Sequence, residues 1–415
     1  MKSIQFIGVI ILSAWLLAVP AFAQGEPDPF DCTARDEVDL AVCIYQVFPQ
    51  IAVGGGFSGE LVVTNQGYVE DAQVRIDFWG DDGQPLMVDL GQQQPAGQII
   101  FSLGAGHSRV VPVSLDSEVA IPGYARITHS AEISLRGSYV LRVLDAQGEL
   151  QTQLGVSSLI PLNSFSFPVQ VDSQAGVNTG LALANGSFRL IATPDPAPQG
   201  FVLTLIDEQG MIVDQQVLQL DLDGHTSLFV DDERLFPGLN DFRGVLSVSA
   251  GIDFGLTALR LEQGILSTIA VSEGPVFSSF DITSSLDAVP EQEPNDTLET
   301  AGDLQLPARV SGVVTPVQDT DLFSFQASQG DILTVYTQTE RGVSRLDSFL
   351  SLETPSGELL AFNDLNRLLR RFDSFLQVVL PDDGEYVLRV EDFALQGGPA
   401  FTYDLVVSLQ EAQQP

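Results

Sequence analysis

Basic side chains and histidines are scarce in this 415-residue chain, which has 18 Lys and Arg against 55 Asp and Glu. Lys2 is the only lysine, so every other basic side chain is an arginine. The formal net charge of −37 repels nucleic acid and anionic lipid headgroups, and neither is expected as a partner. The same charge suits multivalent cations, saline surroundings or simple solubility.

Side chains that commonly perform catalysis are also few. The three histidines are His107, His129 and His225, and neither a Gly-x-Ser-x-Gly nor a His-Glu-x-x-His motif occurs. His107 and His225 each follow a glycine and precede Ser or Thr, which predicts the same turn in two copies of a repeat. His129 is expected on the solvent face of an alternating strand. We therefore expect no enzyme activity, although a glycosidase needs only two carboxylates and stays an alternative.

Cysteine is equally rare, with Cys32 and Cys43 as the only two. In an oxidising compartment this pair predicts a disulfide that closes a small loop, with a stabilisation of about 2–3 kcal/mol. A metal or redox site would need more ligands or a tighter spacing.

The N-terminus has the three parts of a secretory signal peptide. Lys2 is the positive start, residues 4–19 are mostly apolar, and Ala21 and Ala23 are the small residues before a cut at position 24. We expect residues 1–23 to be removed and the protein to be exported to the periplasm, the cell surface or the medium. An uncleaved anchor is the alternative, and no later segment is apolar enough to cross a membrane.

Short alternating runs separated by turn residues predict an all-β protein. Residues 60–64 and 331–337 are examples of such runs, and Asp81-Asp82-Gly83 is one of many turn signals. With 37 Gly, 23 Pro and no long helical periodicity after the signal, the chain is expected to form three consecutive β-sandwich domains, Ig-like or jelly-roll-like.

An internal repeat divides the first two thirds of the chain. Residues 56–65 (GFSGELVVTN) parallel 176–185 (GVNTGLALAN), and residues 133–142 (ISLRGSYVLR) parallel 252–260 (IDFGLTALR). The expected organisation is a lead-in at 24–44 with the cysteine pair, repeats at 45–163 and 164–276, a linker at 277–290, and a C-terminal domain at 291–415. Both repeats resemble an uncharacterised β-rich module of exported bacterial proteins.

The C-terminal segment carries an ordered set of motifs. In chain order they are residues 291–297 (EQEPNDT), 319–325 (DTDLFSF), 329–333 (QGDIL), 363–364 (ND) and 380–390 (LPDDGEYVLRV). Through them residues 291–409 resemble the bacterial pre-peptidase C-terminal domain. Leu322 departs from the family, which commonly has an aromatic residue there, and the loop after Asp364 has three arginines where the family is richer in Asp.

The resemblance implies a small β-sandwich, found beside secreted peptidases and in exported proteins without one. Related collagen-binding modules of secreted collagenases hold calcium in the opening acidic motif. Calcium takes six to eight oxygen ligands, and the expected ligands here are Glu291, Glu293, Asn295, Asp296, Asp319 and Asp321. The alternative is that these residues cap turns and face water.

These features together predict an exported, non-catalytic binding or adhesion-type protein. Its calcium-stabilised C-terminal domain is expected to contact an extracellular protein or polysaccharide. A structural spacer of the envelope or matrix is the second interpretation, and a carboxylate-based hydrolase hidden in the repeats is the third.

Overall fold

A computed structural model describes residues 43–67, 71–130, 134–186, 199–274, 286–339, 343–364 and 373–412. The protein is all-β, as the sequence predicts, and no helix occurs in these ranges. The residues therefore include no helix long and apolar enough to cross a membrane. The signal peptide, Cys32, residues 277–285 of the linker and the arginines after Asp364 lie outside the described residues.

The strands form three groups, called here the first, second and third units. The first unit contains β1 (Cys43–Val53), β2 (Phe57–Asn65), β3 (Ala72–Gly80), β4 (Gln98–Leu103), β5 (Ser108–Val113), β6 (Ile121–Ser130), β7 (Leu135–Leu144) and β8 (Leu150–Ser157). The second unit contains β9 (Leu162–Asp172), β10 (Val177–Ala184), β11 (Gln199–Asp207), β12 (Ile212–Leu220), β13 (His225–Phe229), β14 (Asp241–Glu262), β15 (Ile265–Ile269) and β16 (Ser272–Glu273).

The third unit contains β17 (Val289–Pro290), β18 (Gly302–Asp303), β19 (Ala308–Val313), β20 (Thr320–Ala327), β21 (Ile332–Gln338), β22 (Ser348–Glu353), β23 (Leu359–Asn363), β24 (Phe375–Val379), β25 (Gly384–Asp392) and β26 (Thr402–Gln410). Its two five-stranded sheets have the orders β17-β19-β26-β21-β24 and β18-β20-β25-β22-β23. Residues 289–290, which the sequence places in the linker, form β17 and pair with β19.

The first two units share one strand order. The first has two four-stranded sheets, β1-β6-β3-β4 and β5-β2-β7-β8. In the second, β14 pairs with β9 and β11 along its first part and with β10 and β15 along its second. The half-sheets β9-β14-β11-β12 and β13-β10-β14-β15 therefore repeat the order of the first unit, and β14 takes the places of both β6 and β7.

The histidine motifs of these two units are out of register by one residue. The backbone N–H of Asn65 donates to the carbonyl of His107, whereas that of Asn185 donates to the carbonyl of Gly224. His107 therefore corresponds to Gly224 rather than to His225. A shift of one residue turns a strand side chain to the opposite face, and accordingly His107 is exposed while His225 is buried.

The expectation that His129 faces solvent is wrong, because its side chain is buried. His129 lies on β6, between β1 and β3, and its Nε2 is 3.4 Å from Nε2 of Gln46 on β1. The alternation of apolar and polar residues in the sequence did not reveal that polar side chains fill part of the interior of the first unit.

Inward-facing side chains form one hydrophobic core in each unit. In β9, Phe165, Phe167 and Val169 alternate with outward-facing residues, as expected for a strand with one face on a core. Phe254 meets the rings of Phe165 and Phe201 edge-on, each at a centroid distance of 5.2 Å. Such pairs contribute about 0.5–1.5 kcal/mol each beyond their buried area.

The first two units are joined through His225. Its Nδ1 lies 2.6 Å from Oδ1 of Asp81, and its Nε2 lies 2.9 Å from the carbonyl of Pro49. The ring also stacks on Tyr124 of the first unit. Both ring nitrogens are thus engaged across the junction, which fixes how the second unit sits on the first.

Candidate cation site

The acidic motif enters the third unit beside β19. Pro290 of β17 pairs in parallel with Ser311, and the backbone N–H of Glu291 donates to the carbonyl of Ser311 at 3.0 Å. Oε1 of Glu291 accepts from the backbone N–H of Val313 at 2.7 Å. The Glu291 side chain is therefore turned back onto β19 and held there.

Asp321 comes from the other sheet. It precedes Phe323 and Phe325 on β20, whose side chains alternate into the core. Because side chains two apart share a face of a strand, Asp321 points between the two sheets. Its side chain is fully buried, and Oδ1 has no hydrogen-bond partner.

Asn295 lies in the segment between β17 and β18 and contacts residues on both sides of the site. Its carbonyl accepts from the backbone N–H of Leu322, and its own N–H donates to Oε2 of Glu293 at 3.1 Å. The side chain is fully buried, yet neither its amide oxygen nor its amide nitrogen has a partner. Buried polar atoms without a partner are rare in native proteins and each costs about 1–3 kcal/mol.

Three of the six expected ligands converge closely. One carboxylate oxygen from each of Glu291, Glu293 and Asp321 lies within 4.8 Å of the others. Calcium binds oxygen at 2.3–2.6 Å. Two oxygens on opposite sides of one ion can therefore be separated by the 4.8 Å that limits this group. The backbone of Asn295 is hydrogen-bonded to Glu293 and to Leu322, next to Asp321, so its unpartnered amide oxygen is a candidate for a fourth ligand.

The remaining expected ligands are placed differently. Asp319 is buried, but its Oδ2 accepts from the backbone N–H of Thr315. It still lies near enough to raise the pKa of Asp321 by charge repulsion. Asp296 is exposed and falls outside the group of three carboxylates, although its charge acts on Glu293.

The carboxylates of this site raise one another's pKa. Burial is the main cause that raises the pKa of Asp321 to about 8, and the charges of Glu291, Asp319 and Glu293 add to it. Burial first and the Glu293 charge next also raise the pKa of Glu291. None of the ion pairs among the described residues includes these side chains. A cation is therefore the natural counterion for the ionised group.

Tyr403 is a residue of the candidate site that the sequence did not reveal. Its hydroxyl lies 2.6 Å from Oδ2 of Asp321 and 3.2 Å from Oε2 of Glu291. A phenol has one proton, so it can donate to only one carboxylate at a time. Tyr403 is on β26, in the sheet opposite to that of Asp321, and its buried hydroxyl behaves as buried tyrosine hydroxyls usually do in finding a polar partner.

Gly312 makes room for this arrangement. A Cβ atom at position 312 would meet the ring of Tyr403 and would lie 2.6 Å from Oε2 of Glu291. Glycine at the end of β19 is thus required by the close approach of Glu291 and Tyr403, not by backbone conformation.

The oxygen atoms of the candidate site are of the kind that hard cations prefer. All candidate ligand atoms are carboxylate or amide oxygens, and no histidine or cysteine of the described residues joins the group. Zinc prefers nitrogen and sulfur ligands, whereas calcium and magnesium take oxygen. Magnesium demands near-ideal octahedral geometry and retains waters, so a cluster of irregular, mostly protein oxygens fits calcium better.

Comparison with known proteins gives a partial similarity. No family model matches the chain. A probable subtilase-type serine protease of Deinococcus radiodurans is 29% identical over 229 residues, which are 54% of this chain and 24% of that protein. The chain thus spans about a quarter of the relative's length. None of the three units is as long as the matched stretch, so the similarity spans residues of at least two units.

Proposed function

We propose that this chain is an exported, non-catalytic binding protein whose third unit is stabilised by calcium. In this proposal Glu291, Glu293, Asp321 and the amide oxygen of Asn295 hold the ion, with Asp319 and Asp296 beside them. The stabilised unit then contacts an extracellular protein or polysaccharide.

The fully buried Asn295 side chain carries this proposal. Its amide oxygen has no hydrogen-bond partner and it lies beside carboxylates that no described arginine neutralises. Turn capping, the alternative interpretation of the acidic motif, accounts for exposed Asp296 but not for the buried side chain of Asn295 or the unpartnered Oδ1 of Asp321. A bound cation accounts for both.

The protease relative supports an accessory role. It is a subtilase-type enzyme of which this chain resembles about a quarter. The third unit also carries an ordered set of motifs that resemble those of a domain found beside secreted peptidases. A chain that resembles part of a protease and has no recognisable catalytic motif fits a binding module that acts beside an enzyme.

Calorimetry of the intact chain tests the cation site. After EDTA treatment and dialysis, calcium should bind with one saturable heat and raise the melting temperature of the third unit. The variant Asp321→Asn should lose the heat. The matched control Glu299→Gln removes one charge from an exposed side chain of the same segment and should bind like wild type. Equal binding by Asp321→Asn would refute the assigned ligands.

Retention assays test the binding role. The calcium-loaded chain should bind collagen, a cell-wall preparation or an acidic or neutral polysaccharide with a saturable isotherm. Loss of retention in EDTA would tie the contact to the third unit. Binding to none of these surfaces, with calcium bound normally, would favour the spacer.

The spacer interpretation has one observation of its own. The contacts of His225 with Asp81 and Pro49 fix the first two units relative to each other. Fixed junctions are what a protein that holds a partner at a distance requires. The two functions differ in whether a saturable ligand exists.

A further inference from the structure

One outer sheet face of the second unit is buried although sheet faces away from a core usually meet water. In the half-sheet β9-β14-β11-β12, the side chains of Phe165, Leu246 and Leu203 belong to the core. Their strand neighbours point outward, yet Ser164, Ser166, Thr204, Ser247 and Ser249 are all buried. This hydroxyl-bearing face, called here the seat, must therefore be covered.

The third unit lies on the seat. Strand β24 contacts β11 and β14, and β23 also contacts β14. A Cβ atom at Gly200 would lie 2.7 Å from Cγ2 of Val379, and one at Gly251 would lie 3.1 Å from Cγ1 of Val378. Gly200 and Gly251 belong to the outward-facing series of their strands, so the absence of a side chain is what allows this approach.

Hydrogen bonds reinforce the contact at Phe375. The buried side chain of Asn163 donates from Nδ2 to the carbonyl of Phe375 at 3.0 Å. The backbone N–H of Phe375 donates to Oδ1 of Asn363, at the end of β23, also at 3.0 Å. Both backbone groups of one edge-strand residue are thus satisfied by asparagine side chains, one of them from the second unit.

Strand β24 is an edge strand that needs a covering element. Strand β24 is the edge of one five-stranded sheet and β23 is the edge of the other. The residues of β24, Phe-Leu-Gln-Val-Val, have no charge. Apolar edges without charge, proline or a covering element invite pairing with other chains. The second unit covers this edge.

We infer that the seat is a specific docking surface for β24, and that the third unit is held on the second unit rather than tethered freely behind it. The docked arrangement fixes the orientation of the cation site relative to the two repeats. This inference is independent of calcium binding, because it stands on contacts of β24 and the seat.

Hydrogen exchange and small-angle scattering of the intact chain test the docking. The variants Gly251→Leu and Gly200→Leu place side chains where Val378 and Val379 lie, and should increase the maximum dimension. Amides of residues 373–380 should lose at least about tenfold in protection, while those of β10 keep theirs. Gly155→Leu is the matched control, because Gly155 is on an exposed strand with its nearest neighbouring atom 3.9 Å away.

A milder pair of variants covers the case in which leucine disrupts the second unit. Asn163→Ala removes the bond to Phe375, whereas Asn178→Ala removes a bond to Asp231 inside the second unit. Only the first should increase exchange in β24. Wild-type scattering that requires a freely moving third unit, or unchanged β24 exchange in Asn163→Ala and both leucine variants, would overturn the inference. Calcium titration of the same samples separates this result from failure of the cation site.

Discussion

The phenol oxygen of Tyr403 lies 2.6 Å from Oδ2 of Asp321, and this contact joins the two sheets of the third unit inside the protein. Tyr403 is on β26 and Asp321 is on β20, so neither sheet alone builds the site. The short bond lowers the pKa of Asp321, against the larger effect of burial, which raises it. Tyr403 therefore positions the carboxylate and favours its ionised form.

Removal of this hydroxyl should weaken calcium binding. We expect Tyr403→Phe to reduce calcium affinity by about tenfold, because groups that orient a ligand commonly matter by that much or more. The measurement is isothermal titration at constant pH. Tyr386→Phe is the matched control, since its hydroxyl bonds Asp382 in the same unit. That variant should lose stability and keep calcium affinity, and the opposite pattern would contradict the role given to Tyr403.

The stability of the calcium-free protein should fall as the pH rises. The pKa of Asp321 is raised from 3.8 to about 8 by folding, so between these values the folded state binds more protons than the unfolded state. The contribution is fully present below about pH 4 and is lost as the pH rises through about 8. Melting temperatures in EDTA should therefore decrease over this window, and saturating calcium should remove most of the decrease.

Calcium should reverse the order in which wild type and Asp321→Asn melt. At pH 8 in EDTA the variant should melt at a higher temperature than wild type, because the neutral amide does not add negative charge to the buried group. In excess calcium wild type should melt higher. Identical ranking in both buffers would show that Asp321 does not face the ion.

The junction of the first two units should depend on His225. Replacement by alanine leaves the carbonyl of Pro49 without its donor and removes the stacking on Tyr124. We expect His225→Ala to lower the free energy of unfolding by about 2–3 kcal/mol. Denaturant unfolding measures this loss. His107→Ala, at an exposed turn, should change it little, and equal losses would contradict the difference in register.

The seat contains one hydroxyl that should be dispensable. Oγ of Ser249 is buried and has no hydrogen-bond partner. Ser249→Ala should therefore raise stability by up to about 1 kcal/mol, because it removes an unsatisfied group. Ser227→Ala removes a hydroxyl that donates to Gln50 of the first unit and should lower stability. A lower melting temperature for Ser249→Ala would show that its hydroxyl has a role in docking.

The fold class could be predicted because strand and turn chemistry are local. Asp207 illustrates this, since its Oδ1 accepts from the backbone N–H groups of Gln209 and Met211 and Gly210 has a φ of 80°. The passage of β14 from one half-sheet to the other does not depend on local sequence. Nothing in residues 241–262 shows that one strand serves two half-sheets, because that depends on which strands lie beside it.

The candidate site was accessible from sequence only in part. Glu291, Glu293 and Asn295 are close in the chain, and their spacing indicated oxygen ligands. The convergence of Asp321 follows from its inward position on β20, which alternation with Phe323 and Phe325 made predictable. Tyr403 could not be assigned, since its contact with Glu291 joins residues 112 positions apart.

Strand β14 contacts both of its neighbouring units within a stretch of five residues, 251–255. Gly255 abuts Val47 of the first unit, and Gly251 abuts Val378 of the third. Because both contacts lie on one continuous strand, the first and third units are connected through β14 as well as along the chain.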